Sequence, residues 1–450
     1  MSDSQSSNGG VYRVLGLIPL RLEEGVRSRH VNALYFGAFF SIGLLTFINV
    51  QQGYLFTNLG IPQTEWGGLA GRLLLINELV VLATVYLLGT LSDRVGRRVV
   101  YALGFSMVGI CYVLYPMATA AEHLYLARPI FAIGAACISA MLASVINDYP
   151  DEASRSRFQA VAFILNGIGI SVVNGFAGRL IEGYKSMGLD SVMVGRATFW
   201  TAAAACMVVA VVLVIFLKPG APAQVSKREG VFKTWGVAWR AARNPRVALA
   251  YVGALVSRGD LAVVSVFYSL WLRQVGMEQG LTSEEAQARA VLFYVVAQAF
   301  AVPWAAIMAP ILDRIDRVAG IAIAMFLAAC GYLAMPFFPN PISNWMFLGA
   351  ALIGMGEMCA QLSAIALIGK EAPVRGRGAV IGLFSFFGAV GIMSSGVFGG
   401  WLFDNWAAYG PFVMVGCGNV LVFTLALLLL RRESRRRKAQ AAGIAGPEPA

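Results

Sequence analysis

The sequence predicts an all-α membrane protein, with twelve transmembrane helices in two pseudo-symmetric six-helix bundles. Three observations carry that prediction: apolar runs long enough to cross a bilayer, basic residues gathered in alternate connections, and a second half that repeats the first. Of the 450 residues, 58% are hydrophobic and 13% charged, against about 45–50% and about 25% in soluble domains. Most side chains are therefore expected to face lipid or one another. The net charge of +11 does not indicate nucleic acid, because a basic nucleic-acid protein carries no apolar blocks of membrane-spanning length.

A helix crosses the hydrocarbon core in about 20 apolar residues at about 1.5 Å each. Residues 1–30 form a polar or amphipathic N-terminal segment. Its apolar run Val14 to Leu20 stands at the short limit for a signal-peptide core and lacks a clear cleavage site, so the segment is expected to stay attached. Six spans follow, near 31–53, 68–91, 99–118, 124–147, 158–181 and 197–217, making a first bundle over 31–217. The connection 218–246 is rich in Pro and charge, and its stretch Val231 to Ala242 reads as a short amphipathic helix at the membrane surface. A second bundle over 247–430 holds spans near 247–272, 290–312, 318–338, 345–369, 379–402 and 408–430. The basic tail 431–450, with its run Arg431 to Lys438, reads as an anchor near anionic lipid.

Lys and Arg alternate between connections. Arg94, Arg97 and Arg98, then Arg155 and Arg157, then Lys227, Arg228, Lys233, Arg240, Arg243 and Arg246 mark one side. Arg314 and Arg317, then Lys370, Arg375 and Arg377, continue it in the second half, whereas the connections near 54–66, 118–123, 339–344 and 403–408 have neither. The positive-inside rule then puts both termini in the cytoplasm of a plasma (inner) membrane protein. The six cysteines, Cys111, Cys137, Cys206, Cys330, Cys359 and Cys417, sit singly in apolar segments. They read as small packing residues, with no spacing suited to a metal.

Three landmarks recur at nearly one offset. Gly89-Thr-Leu-Ser-Asp93-Arg94-Val-Gly96-Arg97 returns as Ala309-Pro-Ile-Leu-Asp313-Arg314-Ile-Asp316-Arg317, a shift of 220. Asn174-Gly175-Phe-Ala-Gly178 returns as Ser395-Gly396-Val-Phe-Gly399, and Pro150 with Arg155 and Arg157 returns as Pro373 with Arg375 and Arg377. Parallel six-helix halves are a known transporter architecture.

The run Gly89-x-x-x-Asp93-Arg94-x-Gly96-Arg97-Arg98 resembles the signature loop between the second and third helices of the major facilitator superfamily, and the resemblance extends over the whole chain. It implies that Asp93, Arg94 and Arg97, and in the second half Asp313, Arg314 and Arg317, make charge contacts that steady one conformation. Arg128 with Gly134, Ala135 and Ala136 is similar to the family's second motif, although Ala132 stands where that motif has glycine. The fifth span has Asn174-Gly175 where drug-proton antiporters of the family have a Gly-Pro pair, which does not match the multidrug exporters.

An ionised side chain deep in a bilayer is costly and usually has a task. Glu78 lies fifteen residues before Asp93, Asp260 fourteen after Arg246 and Glu357 thirteen before Lys370, so each sits about 20 Å from the same membrane edge. Gln298 matches Glu78 in the second half. The resemblance implies a central cavity lined by the first, fourth, seventh and tenth helices, which favours Asp260 and Glu357 as proton-coupling groups. A partly buried carboxylate can load and release a proton as a cavity opens to each side in turn. Arg258 and Asp260 point about 200° apart unless the helix breaks at Gly259, so each needs a partner elsewhere. An Arg258–Glu357 ion pair ranks first, ahead of attraction of an anionic substrate or influence on a nearby carboxyl. A purely structural role for these charges is the alternative.

Asn49, Gln51 and Gln52 on the first span, Ser265 and Tyr268 on the seventh and Gln361 on the tenth are candidate solute contacts. Trp66, Trp271, Trp345, Trp401 and Trp406 read as an interfacial belt. No P-loop, GxSxG elbow, HExxH or His-carboxylate cluster occurs, so neither ATP-driven pumping nor catalysis is expected. The expected function is secondary active transport of a small organic solute, driven by the proton gradient without a cofactor. The expected partners are that solute and the lipid bilayer, with a monomer as the working form. Uniport, sodium coupling and a non-transporting sensor are the alternatives.

Overall fold

The computed structural model describes residues 11–14, 18–220, 231–338, 340–373 and 376–441. Lys227, Arg228 and Arg375, counted above among the basic residues, lie outside them. The chain opens with a two-stranded antiparallel hairpin, β1 (Val11–Val14) and β2 (Ile18–Arg21), in which Val11 faces Arg21. This hairpin is absent from the sequence expectations. It is held by pairing at a distance: Arg21 N donates to Ser154 Oγ at 2.9 Å, Asp151 N to Arg21 O at 3.0 Å and Glu23 N to Tyr149 O at 2.9 Å.

Helices follow in the expected order. In the first half they are α1 (Ser28–Asn58), α2 (Trp66–Val95), α3 (Arg97–Leu114), α4 (Ala121–Asp148), α5 (Arg155–Ser186) and α6 (Ser191–Phe216). The linker helix α7 (Val231–Ala241) appears where amphipathicity placed it. The seventh span is composite: α8 (Pro245–Val263), a π-turn (Val264–Tyr268) and α9 (Ser269–Glu278). Then come α10 (Ser283–Arg314), α11 (Arg317–Leu333), α12 (Met346–Glu371), α13 (Arg377–Asn405) and α14 (Gly410–Ala441). Among the described residues, twelve spans are long and apolar enough to cross a membrane.

The repeated loop shows how one turn can be built twice. Between α2 and α3 the chain turns on Gly96 at φ 95°, a left-handed value that a side chain disfavours. The second copy has Asp316 there at φ −59°, and its carboxylate caps α11 by accepting from Val318 N at 2.9 Å. Asn244 and Asp190 cap α8 and α6 in the same way.

The chain forms two compact units. One comprises Met1–Gln63, Ile76–Ser226 and Leu272–Gln298; the other comprises Thr64–Leu75, Lys227–Trp271 and Ala299–Ala450. In the first, α1 packs on α5, and α3 lies against α4 and α6. The approach of α1 to α5 is backbone-close, since a Cβ at Gly169 would collide with the Phe39 carbonyl. In the second, α8 packs on α13, and α11 lies against α12 and α14. The internal repeat therefore returns as a repeated set of helix partners.

Two groups depart from their expected places. Trp66 and Trp271 are buried, unlike the exposed Trp345, Trp401 and Trp406, so two of the five expected belt members are enclosed by protein. Cys330 and Cys417 are exposed while the other four cysteines pack inside, because those two fall on the outward faces of α11 and α14.

Candidate functional site

Asp260 sits on the interior face of α8, with no exposed surface. Its partner comes from the last span: Asn419 Nδ2 donates to Asp260 Oδ1 at 2.9 Å and also to Val415 O one turn back on α14. Asp260 Oδ2 and Asn419 Oδ1 meet no hydrogen-bond partner among the described residues. Tyr332 of α11, whose buried hydroxyl is likewise unpartnered there, lies within electrostatic reach of both Asp260 and Glu357. Glu357 on α12 is 2% exposed and is approached by Gln361 Nε2, one turn along, at 3.5 Å. Asp260 and Asn419 thus form a buried polar pair, with Glu357 and Tyr332 also buried and within electrostatic reach. Asn419 and Tyr332 escaped sequence reasoning. Asn419 had a signal, being the lone amide within an apolar span, whereas Tyr332 had none.

Arg258 lies on the opposite, exposed side of α8, as two residues of helix require, and its stem covers Gly388 of α13. The helix continues unbroken through Gly259. The winding changes only at the π-turn, five residues downstream of it, which contains two of the candidate solute contacts. Ser265 donates to Ala262 O at 3.2 Å, and Tyr268 is buried edge-on against Phe412. A π-turn offsets successive side chains from the α-helical register, and such turns recur at functional sites.

In the other unit, Arg128 of α4 is 1% exposed and donates through Nη2 to Asn49 Oδ1 of α1 at 2.6 Å, with its guanidinium 5.0 Å from the Phe131 ring. Its Nε and Nη1 have no partner among the described residues, and neither has the Gln52 amide one turn beyond Asn49. Arg128 therefore joins the polar group of the first span. Gln51 accepts from Gln287 Nε2 of α10 at 3.1 Å. Glu78 is half-buried on α2 and accepts from Asn77 at 3.0 Å; Gln298 is buried on α10.

The loop motif makes its charge contacts. Arg97 bonds Asp93 at 2.8 Å, Ser92 Oγ at 2.6 Å and Asp148 at the end of α4 at 3.1 Å, and Gly89 O accepts from Ser92 Oγ. Arg94 and its counterpart Arg314 are exposed. In the second copy Arg317 of α11 bonds Asp313 of α10 at 2.8 Å, and the links to further helices are made by Arg246 of α8. Arg246 pairs with Asp316 at 3.2 Å, Glu371 at 3.1 Å and Glu433 at 2.6 Å. Burial pushes the Asp316 carboxyl upward, but the Val318 backbone N–H and the Arg246 guanidinium outweigh it and hold the group below its ordinary value.

A further cluster, also missed from sequence, closes the other end of the first unit. Arg273 of α9 is fully buried and donates to Ser283 O and Oγ, both at 2.6 Å, to Gln287 Oε1 at 3.3 Å and to Thr57 Oγ1 at 2.8 Å, with Tyr54 beneath it. Beside it, Glu284 accepts from Tyr54 OH at 3.1 Å and pairs with Lys185 at 3.5 Å. Arg273 and Lys185 belong to connections that interrupt the alternation of basic residues, and this was their signal.

Comparison with known proteins gives the arrangement relatives. Residues 33–396 and 307–450 match the family described as Major Facilitator Superfamily. "Magnetosome protein MamH" of Paramagnetospirillum magneticum (strain ATCC 700264 / AMB-1) is 26% identical over 91% of this chain and 94% of its own. "Magnetosome protein MamZ" of the same organism is 25% identical over 85% of this chain, which spans 60% of that longer protein. Among solved structures, nucleoside transporter NupG superposes with a TM-score of 0.69 at 13% identity, covering 90% of this chain and 99% of that one. A bacterial homologue of the human lysosomal transporter Spinster, in an inward-facing, unoccupied conformation, gives 0.66 at 18% identity, covering 90% and 98%.

Proposed function

This chain belongs to the Major Facilitator Superfamily, and from that premise we propose that this membrane transporter is a proton-coupled secondary carrier of a small organic solute. The observation that carries the coupling is the setting of Asp260: a carboxyl wholly inside a spanning helix, bonded to a neutral amide, with a second buried carboxyl close by. A charge there is costly, and a proton removes that cost. Asp260 and Glu357 are the proton-carrying groups in this reading. Asn49, Gln52 and Arg128 contribute the polar contacts to the solute. The Lys and Arg alternation supports a plasma membrane location with both termini cytoplasmic. The likeness to MamH favours a second location, a magnetosome membrane.

Internal pH in proteoliposomes, challenged with panels of organic anions, cations, sugars and peptides, tests the proposal. A solute that moves protons with wild type, and tenfold less or not at all with Asp260→Asn or Glu357→Gln, supports coupling. Labelled solute that crosses equally in all three without proton movement overturns it, leaving uniport or sodium coupling. Failure of every solute to move or bind leaves a sensor.

A further inference from the structure

Between the end of α5 and the start of α10, both in the first unit, runs a groove of about 660 Å³. Its floor is a close helix contact: a Cβ at Gly178 would lie 3.2 Å from Val291 Cγ1, and one at Gly175 would lie 3.6 Å from Val295 Cγ2. That register aligns two antiparallel helices, so distance from their shared end can be compared. Glu182 and Glu285 lie about 3–6 Å in from the helix tips, Arg179 and Arg289 about 9–10 Å, and Phe176, Leu292 and Val295 about 13–18 Å, at about 1.5 Å per residue.

The groove is thus layered along the membrane normal: a pair of acids outermost, a pair of arginines beneath them, then apolar wall. Arg289 is held 4.9 Å over the Phe293 ring, and Phe176 and Leu292 are exposed at 57% and 42%, as side chains facing acyl chains would be. Glu285 accepts from Thr282 N and Oγ1 through Oε2, which fixes its position at the helix start.

We propose that this groove binds a membrane phospholipid with a zwitterionic headgroup. Such a lipid presents its parts in the same order: acyl chain deepest, phosphate next, ammonium outermost. Phosphate meets the arginine pair, which suits its planar donors; the ammonium meets Glu182 and Glu285; the chain lies along Phe176, Leu292 and Val295. A purely anionic lipid satisfies the arginines but sets its outer headgroup against two carboxylates, so the acidic layer selects against it. The two helices come from the two halves of the chain, so a bound lipid bridges them.

The test is photolabelling of the full-length protein in nanodiscs. Phosphatidylethanolamine or phosphatidylglycerol, carrying the same diazirine acyl chain, is used at equal mole fraction, and labelled peptides are mapped. Labelling within 171–182 and 288–295 is expected to favour the ethanolamine lipid by about threefold or more, the scale of exposed ion pairs. Arg179→Gln with Arg289→Gln lowers labelling by both lipids, and Glu182→Gln with Glu285→Gln removes the preference while keeping the phosphate contact. Equal wild-type labelling by the two lipids means an unselective lipid annulus and overturns the proposal, and preference for phosphatidylglycerol does the same. A preference that survives both double variants also overturns it, because the headgroup is then read elsewhere.

Discussion

At the scale of single residues, the central feature is a carboxyl and an amide that satisfy only half of each other. Asp260 and Asn419 share one hydrogen bond, while Asp260 Oδ2 and Asn419 Oδ1 lack partners among the described residues. Removing one member strands the other. Asn419→Leu is expected to cost about 1–3 kcal/mol, the price of an unpaired buried polar group, while Asp260→Leu in the same background recovers much of it. Thermal melts of the four proteins in detergent complete the cycle, and strictly additive losses would remove this pair from the account.

At the scale of elements, helix ends carry the ionic order. Asp316 both caps α11 and ties it to α8 through Arg246, which in turn reaches Glu371 of α12 and Glu433 of α14. Its carboxyl titrates below its ordinary value despite partial burial, because the cap and the guanidinium favour the charged form. A depressed folded-state pKa contributes stability that is complete above the unfolded value of about 3.9 and disappears as pH falls through the lowered one. Asp316→Asn should therefore lower stability at neutral pH and flatten the acid limb below about pH 4 in pH-dependent melts. An unchanged acid limb would assign that loss to the other carboxylates. The π-turn is the other decisive element: it lies just before Trp271, where the seventh span passes from one unit to the other.

At the scale of the molecule, the first unit takes Leu272–Gln298 from the second half of the chain. The clasp formed by Arg273, Glu284, Gln287, Tyr54 and Thr57 binds that segment to α1. In the proposed alternating-access cycle, conformations exchange by population shift, and releasing this clasp would be one such step. Arg273→Gln should raise amide hydrogen exchange in 50–57 and 283–290 by about tenfold, as expected from loss of roughly 1.5 kcal/mol of contacts. Exchange in 412–430 should stay unchanged. Equal acceleration in both regions would signal global destabilisation instead of release of the clasp.

The sequence alone determined the class, the number of spans, the internal repeat and the motif loops. Each of these rests on a one-dimensional property: run length against bilayer thickness, the sign of charge by connection, or residues at a fixed offset. It also placed Glu78, Asp260 and Glu357 within spanning helices, and helical rise gives each an expected depth. Depth is not direction, however. That Asp260 turns inward to Asn419 and Tyr332, that Arg128 meets Asn49, and that Trp66 and Trp271 are buried depend on which faces meet. The tertiary structure alone decided these, along with the Arg246 and Arg273 clusters, whose partners lie up to 237 residues apart. Such partners are chosen by packing between elements, and no local pattern along the chain records that choice.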